Sequence, residues 1–371
     1  AGASFGYRIL WVMIRMTLVL AIIQEMCARI GVVSGKGLSD LIRESYGVKV
    51  IFYLLLGLLF ANLATVVAEF SGVAGSMEIF GIPRWLSVPS SAFLVWSLIY
   101  FGNYRSVEKV FLLAAVIYAA YIISGFLAEP EWRDIGVSFA RPSFDFSNAY
   151  LLMLVGMIGT TITPWMQFYL QASVVEKGVK IENYKYSKWD VVIGAVITDI
   201  VAAFIMIASA AALFQHGIHI ETASDAARAL APFAGRFAET LFAVGLLNAS
   251  LLGASIVSLS SAYSICEGLG FESGVDKRFR EAPWFYGILT AVIIIGAIPA
   301  VFPKAPLIKM MLVSQVINGV LLAPILIFIV LLANKKWLMG EHINKPWYNF
   351  VAWAAVGILA FLSAVLVVTA F

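Results

Sequence analysis

The sequence predicts an all-α polytopic membrane protein, and three observations carry that expectation. Hydrophobic residues make up 61% of the 371, charged residues only 13%, and the mean hydropathy is +0.93, far outside the range of a soluble globular domain. Apolar runs of bilayer-spanning length recur along the whole chain. One of them, Asn148 to Gly178, is interrupted by Thr160-Thr161-Ile162-Thr163-Pro164, a polar stretch at a depth where lipid offers no hydrogen-bond partner.

Taken in order, spans are expected at about Ile9–Val33, Val48–Phe80, Leu86–Phe101, Val110–Ala128, Ala149–Val174, Trp189–Phe214, Phe237–Ile265, Trp284–Phe302, Leu307–Ala333 and Tyr348–Phe371. These ten form one transmembrane domain over residues 1–371, with no internal repeat and no low-complexity segment. The connections GKGLSDLIRESYGVK, NYRSVEK, VVEKGVKIENYKYSK, FESGVDKRFREAP and NKKWLMGEHINKP, with their helix edges, hold about 16 Lys and Arg. Those on the other side, GIPRW, EPEWRDIGVSFARP, QHGIHIETASDAARALAPFAGR and PKAP, hold about 8, and Arg15 stands inside a span. The first set is therefore expected to be cytoplasmic, which makes the first span run inward and puts the C-terminus outside. Thr222–Gly235 reads as a short amphipathic helix outside the bilayer, with no chemistry assigned to it.

Five spans follow the interrupted one and four precede it. A five-plus-five inverted-repeat transporter opens each half with a broken helix, so a further broken helix is expected upstream of Ala1, with AGASFGY as its tail. No signal peptide is expected, since the chain opens AGASFGYRIL without a methionine or a basic leader. Cys27 and Cys266 lie near predicted helix ends and read as packing residues. A net charge of +3 is too small to suggest nucleic acid.

The interruption carries the most chemistry. Pro164 removes a backbone donor and clashes with the preceding turn, so carbonyls near Ile162 and Thr163 lose their helical partners. Unwound backbone at that depth lines a cavity or a site, and the C-terminal end of a half-helix carries partial negative charge suited to a cation. The competing reading is a plain proline kink in a packed helix. Glu69 and Asp199 are the acids nearest mid-span. A lone carboxylate in lipid needs a cavity or a partner, so Glu69 either faces an aqueous pathway or is packed uncharged beside Asn62. Asp199 either attracts a hydrated cation or bonds across helices. Gln315 and Asn318, three apart on one helix face, either point at one site or tie helices together. Asn248 and Ser250 read as interhelical glue beside small residues.

Several stretches resemble the Nramp family of divalent-metal transporters. AGASFGYRILWV followed by QEMCARIGVVSGKGLSDLIRE is similar to the end of the family's first helix and its second. ATVVAEFSGVAGSMEIFGIP resembles its third helix, LFAVGLLNASLLGASIVSLSSAYSICEG its eighth and MLVSQVINGVLLAPILIFIVLL its tenth. The resemblance is collinear over nearly the whole chain. It implies a LeuT-type inverted repeat with broken first and sixth helices, the first, an Asp-Pro-Gly-Asn type of break, lying outside this chain. It also implies a multi-pass protein of the cytoplasmic membrane of a prokaryote, acting as a monomer with a divalent ion and the lipid bilayer as its partners.

The departures from the family pattern refine the expectation. Typical members carry Met-Pro-His at the sixth-helix break, a soft thioether that favours manganese, iron or cadmium. Here the sequence is Thr163-Pro164-Trp165, and a hydroxyl and a carbonyl offer only hard oxygen. A one-residue shift, which aligns YLQAS with the family's YLHSS, would bring Met166 nearer the site. Family members couple to protons through ionisable groups in the third, sixth and ninth helices. In this chain the corresponding positions hold Val66 and Gln171, and the ninth span, WFYGILTAVIIIGAIPAVF, is uncharged. The histidines His216, His219 and His342 all fall outside the spans. A relay cannot be built from Gln, Val and Ile, which points to uncoupled movement down the electrochemical gradient.

Hard ligands and a lost relay together suit Mg2+, which gives up water reluctantly and keeps several waters when bound. The chain therefore looks like the Nramp-related magnesium transporter branch, moving Mg2+, and also Mn2+, into the cytoplasm as a largely hydrated ion by alternating access, with no cofactor. The protein contacts expected are Ile162, Thr163, Gln315 and Asn318; Glu69, Thr161, Trp165, Met166, Gln167 and Asp199 are expected along the pathway and cavity. Glu25, Arg29, Glu44 and Glu267 lie at the cytoplasmic margin, as an ion-pair gate or as solvated charges. Two rival activities remain open: a proton-coupled Mn2+/Fe2+ importer using Met166, Glu69 and Asp199, and an amino-acid transporter of the same fold. No HExxH, CxxC, phosphate loop or nucleophile elbow supports an enzyme.

Overall fold

The computed structural model describes residues 1–101 and 115–370, and within them every regular element is helical. The first long helix, α1 (Trp11–Ser34), stops at Gly35, whose φ of 63° gives the left-handed C-cap that glycine adopts without strain. A short amphipathic helix, α2 (Leu38–Tyr46), follows and ends at Gly47, also at positive φ. Next come α3 (Val48–Ile79) and α4 (Arg84–Phe101). At about 1.5 Å per residue, the 32 residues of α3 span about 48 Å, more than the hydrocarbon core needs.

After α4 the described chain resumes with a 3-10 turn, then α5 (Ala119–Leu127) and the outer helix α6 (Trp132–Ala140). The upstream part of the span expected at Val110–Ala128, and the NYRSVEK connection, lie outside the described residues. The interrupted span is two helices, α7 (Asn148–Thr161) and α8 (Pro164–Glu176). They are followed by α9 (Tyr184–Ala212), α10 (Ala238–Leu269), α11 (Pro283–Val301), α12 (Leu307–Ala333) and α13 (Pro346–Ala370). Among the described residues, eight segments are long and apolar enough to cross a membrane; the apolar stretch Val116–Leu127 is shorter, and α4, with 18 residues, is not among the eight. The amphipathic helix expected over Thr222–Gly235 is instead a broken ribbon, Ala223–Ala227, a 3-10 turn and Ala231–Ala234, because Pro232 cannot donate to the ladder.

Two apolar cores fill the bundle. One joins α1, α2, α7, α12 and α13 through residues such as Ile23, Met26, Tyr150, Leu322 and Ile329. The other joins α3, α4, α10 and α11 through Val66, Phe70, Val257, Phe285 and Leu289. Trp165, in the first turn of α8, packs against both, so the break between α7 and α8 lies on the seam between them.

Close helix crossings bring polar groups to that seam. A Cβ on Gly159 of α7 would run into the carbonyl oxygen of Gln315 and the amide nitrogen of Gly319 of α12, so the two backbones touch there. Without a hydrophobic force between helices in lipid, such small-residue contacts supply packing directly. Gly296 of α11 receives Val66 of α3 in the same way, and Gly253 of α10 receives the Glu69 carboxyl group.

Candidate functional site

The break is a departure from helix for two residues. Ser147 caps the start of α7 by accepting from the Tyr150 amide. At its far end the Ile162 amide donates to the Ile158 carbonyl at 2.9 Å, and the chain then turns extended, with ψ of 83° at Ile162 and 145° at Thr163. Pro164 is the first residue of α8, where its missing N–H is no loss and its fixed φ suits the helix. Ile162 is fully buried and Thr163 is 5% exposed. Thr163 occupies an N-cap position, yet its hydroxyl makes no capping bond and is a buried oxygen without a partner.

Across the Gly159–Gly319 contact, α12 presents Gln315 and Asn318. Asn318 Nδ2 donates to Thr65 Oγ1 of α3 at 2.9 Å and to Gln315 Oε1 at 3.3 Å, while its Oδ1 is buried with no donor. On α8, the Trp165 carbonyl accepts from Ser260 at 2.9 Å and the indole N–H has no partner. Met166 Sδ accepts from Gln24 of α1 at 2.6 Å, and Gln167 Oε1 accepts from the Cys27 thiol at 3.4 Å with its Nε2 left free. The break, α12 and the middle of α3 thus meet in one place. The oxygens they bring there are neutral, and among the described residues no cluster of three His, Cys, Asp or Glu could hold a metal.

Other expected residues lie elsewhere. The Thr161 hydroxyl bonds back to the Met157 carbonyl at 2.9 Å, a local use that takes it away from the site. Glu69 sits one turn beyond Thr65, half-buried, with its carboxyl group over Gly253. Asp199 is 4% exposed and faces Thr17 where α9 packs on α1, with one oxygen unpartnered. It is not among the groups at the break.

The end of the bundle expected to face the cytoplasm holds two separate clusters. Buried Arg29 grips Glu25 at 3.1 Å and Asn344 Oδ1 at 2.6 Å and donates to the His342 carbonyl, while the Tyr184 hydroxyl donates to Glu25. This closes α1 onto the connection between α12 and α13. Glu267 lies apart, its carboxyl group over Gly37 and bonded by the Ser39 amide at the N-terminus of α2. Glu44 pairs with Lys36 at 2.7 Å on the surface. At the opposite end of the bundle, by contrast, a cavity of about 330 Å³ opens between α3, the ribbon before α10, and α12, lined by Ser71, Glu78, Thr222 and Met311.

Sequence reasoning did not pick out Thr65, Gly159, Gly319 or Gln24. The signal for Thr65 was its place four residues before Glu69, on the same face of α3. The glycines carry no signal until the facing helix is known.

The family model described as natural resistance-associated macrophage protein-like, Nramp, matches residues 1–369. The chain is 28% identical over 383 residues to the divalent metal cation transporter MntH of Klebsiella pneumoniae, covering 99% of this chain and 88% of the relative. It is 26% identical over 383 residues to the protein of the same name from Bacillus subtilis, covering 100% and 87%. Crystal structures of a variant of the Eremococcus coleocola manganese transporter, and of that transporter with an aromatic bis-isothiourea substituted compound, superpose with a TM-score of 0.81 at 21% identity, over 98% of this chain and 80% of theirs. That likeness shows the all-helical, LeuT-like fold. With a family match over essentially its entire length, this multi-pass integral membrane protein belongs to the Nramp family.

Proposed function

We propose that this protein carries divalent cations into the cytoplasm, with Mg2+ as its principal cargo and Mn2+ also accepted, by uncoupled alternating access. The observation that carries the reading is Thr163: where the family resemblance calls for a thioether, the break offers a buried hydroxyl with no partner. Hard oxygen from Thr163, the Ile162 carbonyl, Gln315 and Asn318 suits a hard ion that keeps much of its water. The similarity to divalent metal cation transporters supports the cargo class, divalent metal ions.

The uncoupled mechanism is supported by what occupies the relay positions. Val66 is fully buried and pressed onto Gly296, a contact with no polar atom in it. Gln171 Nε2 donates to the Lys36 carbonyl at 2.9 Å, tying α8 to the turn after α1. Neither side chain can carry a proton. A membrane potential supplies about 2.3 kcal/mol per charge per 100 mV, so about 4.6 kcal/mol for a divalent ion, more than a roughly thousandfold accumulation without protons. The open outer cavity and the Arg29-sealed inner margin suit the outward-facing half of such a cycle.

A second reading, the proton-coupled Mn2+ importer, is favoured by Met166, whose sulfur lies in the first turn of α8, and by the half-buried carboxyl of Glu69. Liposomes carrying a magnesium dye and a pH dye inside, with a valinomycin-set potential, separate the two. Mg2+ entry with a flat pH trace is the expected result. Internal acidification that tracks metal entry and is strongest with Mn2+ would replace the uncoupled reading with the second.

A further inference from the structure

We propose that Thr65 is a positioning residue that fixes which end of the Asn318 amide faces the transported cation. The proposal rests on the reading of Asn318 as an ion contact and adds a residue on a third helix to that site.

An amide presents a donor at one end and an acceptor at the other, and the two ends differ little in shape, so only their partners decide the orientation. Thr65 is 2% exposed, and its hydroxyl proton is spent on the Ala61 carbonyl one turn back, at 2.9 Å. Its oxygen can then only accept. Asn318 meets that oxygen with Nδ2 at 2.9 Å, and its remaining N–H points to Gln315 Oε1 at 3.3 Å. Both donors of the amide are used, so Oδ1 is turned the other way, fully buried and without a donor. An oxygen held in that state is costly unless water or a cation meets it.

Gln315 cannot impose this orientation by itself. It is only partly buried, and its Nε2 is held by Ser314 at 3.4 Å, a long contact that leaves the amide free to turn over. A Gln315 turned over would offer N–H to Asn318 and invite the opposite arrangement, with Nδ2 facing the ion. The Thr65 oxygen, on a different helix and with its proton committed, removes that alternative. Its position also explains why a hydroxyl belongs at residue 65 among apolar neighbours: Val66 and Ala61 beside it are fully buried.

The test measures uptake of Mg2+ and of Mn2+ into liposomes over a concentration series, for the full chain and five variants. Thr65→Val keeps the shape and loses the acceptor; Thr65→Ala is a second variant without it, and Thr65→Ser restores it. Thr65→Val is expected to raise the half-saturation concentration about tenfold, the effect of losing one oriented buried polar contact, with the maximal rate within about twofold. Thr65→Ser should return it to the wild-type value. In an Asn318→Ala background, Thr65→Val should change nothing further, because its effect runs through the amide. A normal half-saturation concentration in both Thr65→Val and Thr65→Ala, with Asn318→Ala impaired, overturns the positioning role and leaves the ion contact standing. Full additivity in the double variant also overturns it. An Asn318→Ala protein equal to wild type removes the ion contact itself and the proposal with it.

Discussion

Replacing Gly159 by alanine should damage transport while leaving the fold intact. A Cβ there would run into the Gln315 carbonyl oxygen and the Gly319 amide nitrogen, both well inside the 3.4 Å at which ordinary contact begins, so α7 and α12 must part by about 1 Å at their crossing. Both neighbours are backbone and cannot swing away as a side chain could. Overpacking of this kind costs about 1–3 kcal/mol, which a bundle of this size can absorb. The site is less tolerant, because Ile162 and Thr163 follow Gly159 within a turn while Gln315 and Asn318 precede Gly319 within about a turn. Bound divalent ions accept ligand distances within about 0.2 Å of their ideal values, so an opening of about 1 Å breaks any contact shared by the two helices. Losing one such contact should raise the half-saturation concentration for Mg2+ about three- to tenfold. Gly156→Ala is the control: its Cβ would come no nearer to α12 than the Val316 side chain, at an ordinary 3.4 Å. The assay is uptake into liposomes with an internal magnesium dye, beside a thermal melt in detergent. If Gly159→Ala matched Gly156→Ala in half-saturation, with both reconstituting normally, the α7–α12 crossing would not be what holds the site together.

Four further outcomes are expected. Thr163→Met places a thioether at the break and should sharpen inhibition of Mg2+ uptake by Cd2+ and Mn2+; unchanged competition would mean that residue 163 does not touch the ion. Glu69→Gln should leave both the uptake rate and the internal pH trace as in wild type, whereas loss of metal-driven acidification would show that this carboxyl group carries protons. Arg29→Ala strands Glu25 in a buried margin, typically a loss of about 3–5 kcal/mol. In a Cys266→Ser background it should therefore expose fully buried Cys27 to a thiol reagent applied from the cytoplasmic side, and an unchanged labelling rate would argue against a gate there. At the outer ribbon, the Thr222 hydroxyl holds Asp225 below the usual aspartate value of 3.8. That capping box is therefore intact above pH 3.8 and lost as the pH falls through the lowered value, so amide exchange around 222–228 should quicken only in strong acid, and in Asp225→Asn at neutral pH as well.

How much of this was legible beforehand can be followed residue by residue. The break was readable because proline acts on its own chain: whatever surrounds it, Pro164 has no N–H, and the helix in front of it ends at Thr161. The helical, membrane-embedded character was readable for a similar reason, since apolar length is a local property. Family membership followed from stretches spread along the chain. The partners of the polar residues were not readable. α3 and α12 are apolar nearly all the way round, so no amphipathic stripe says which face of either turns inward.

Only packing settled those faces. It set Asp199 against Thr17 rather than at the break, and Glu267 over the start of α2 rather than beside Arg29. It brought Thr65 to Asn318 and let two glycines press α7 onto α12. The sequence by itself determined that a helix must break at Thr163-Pro164 within a membrane bundle, because proline and hydropathy act within a few residues. The tertiary structure alone decided which oxygens meet that break, because rotation about each helix axis is set by close contacts between helices far apart in the chain.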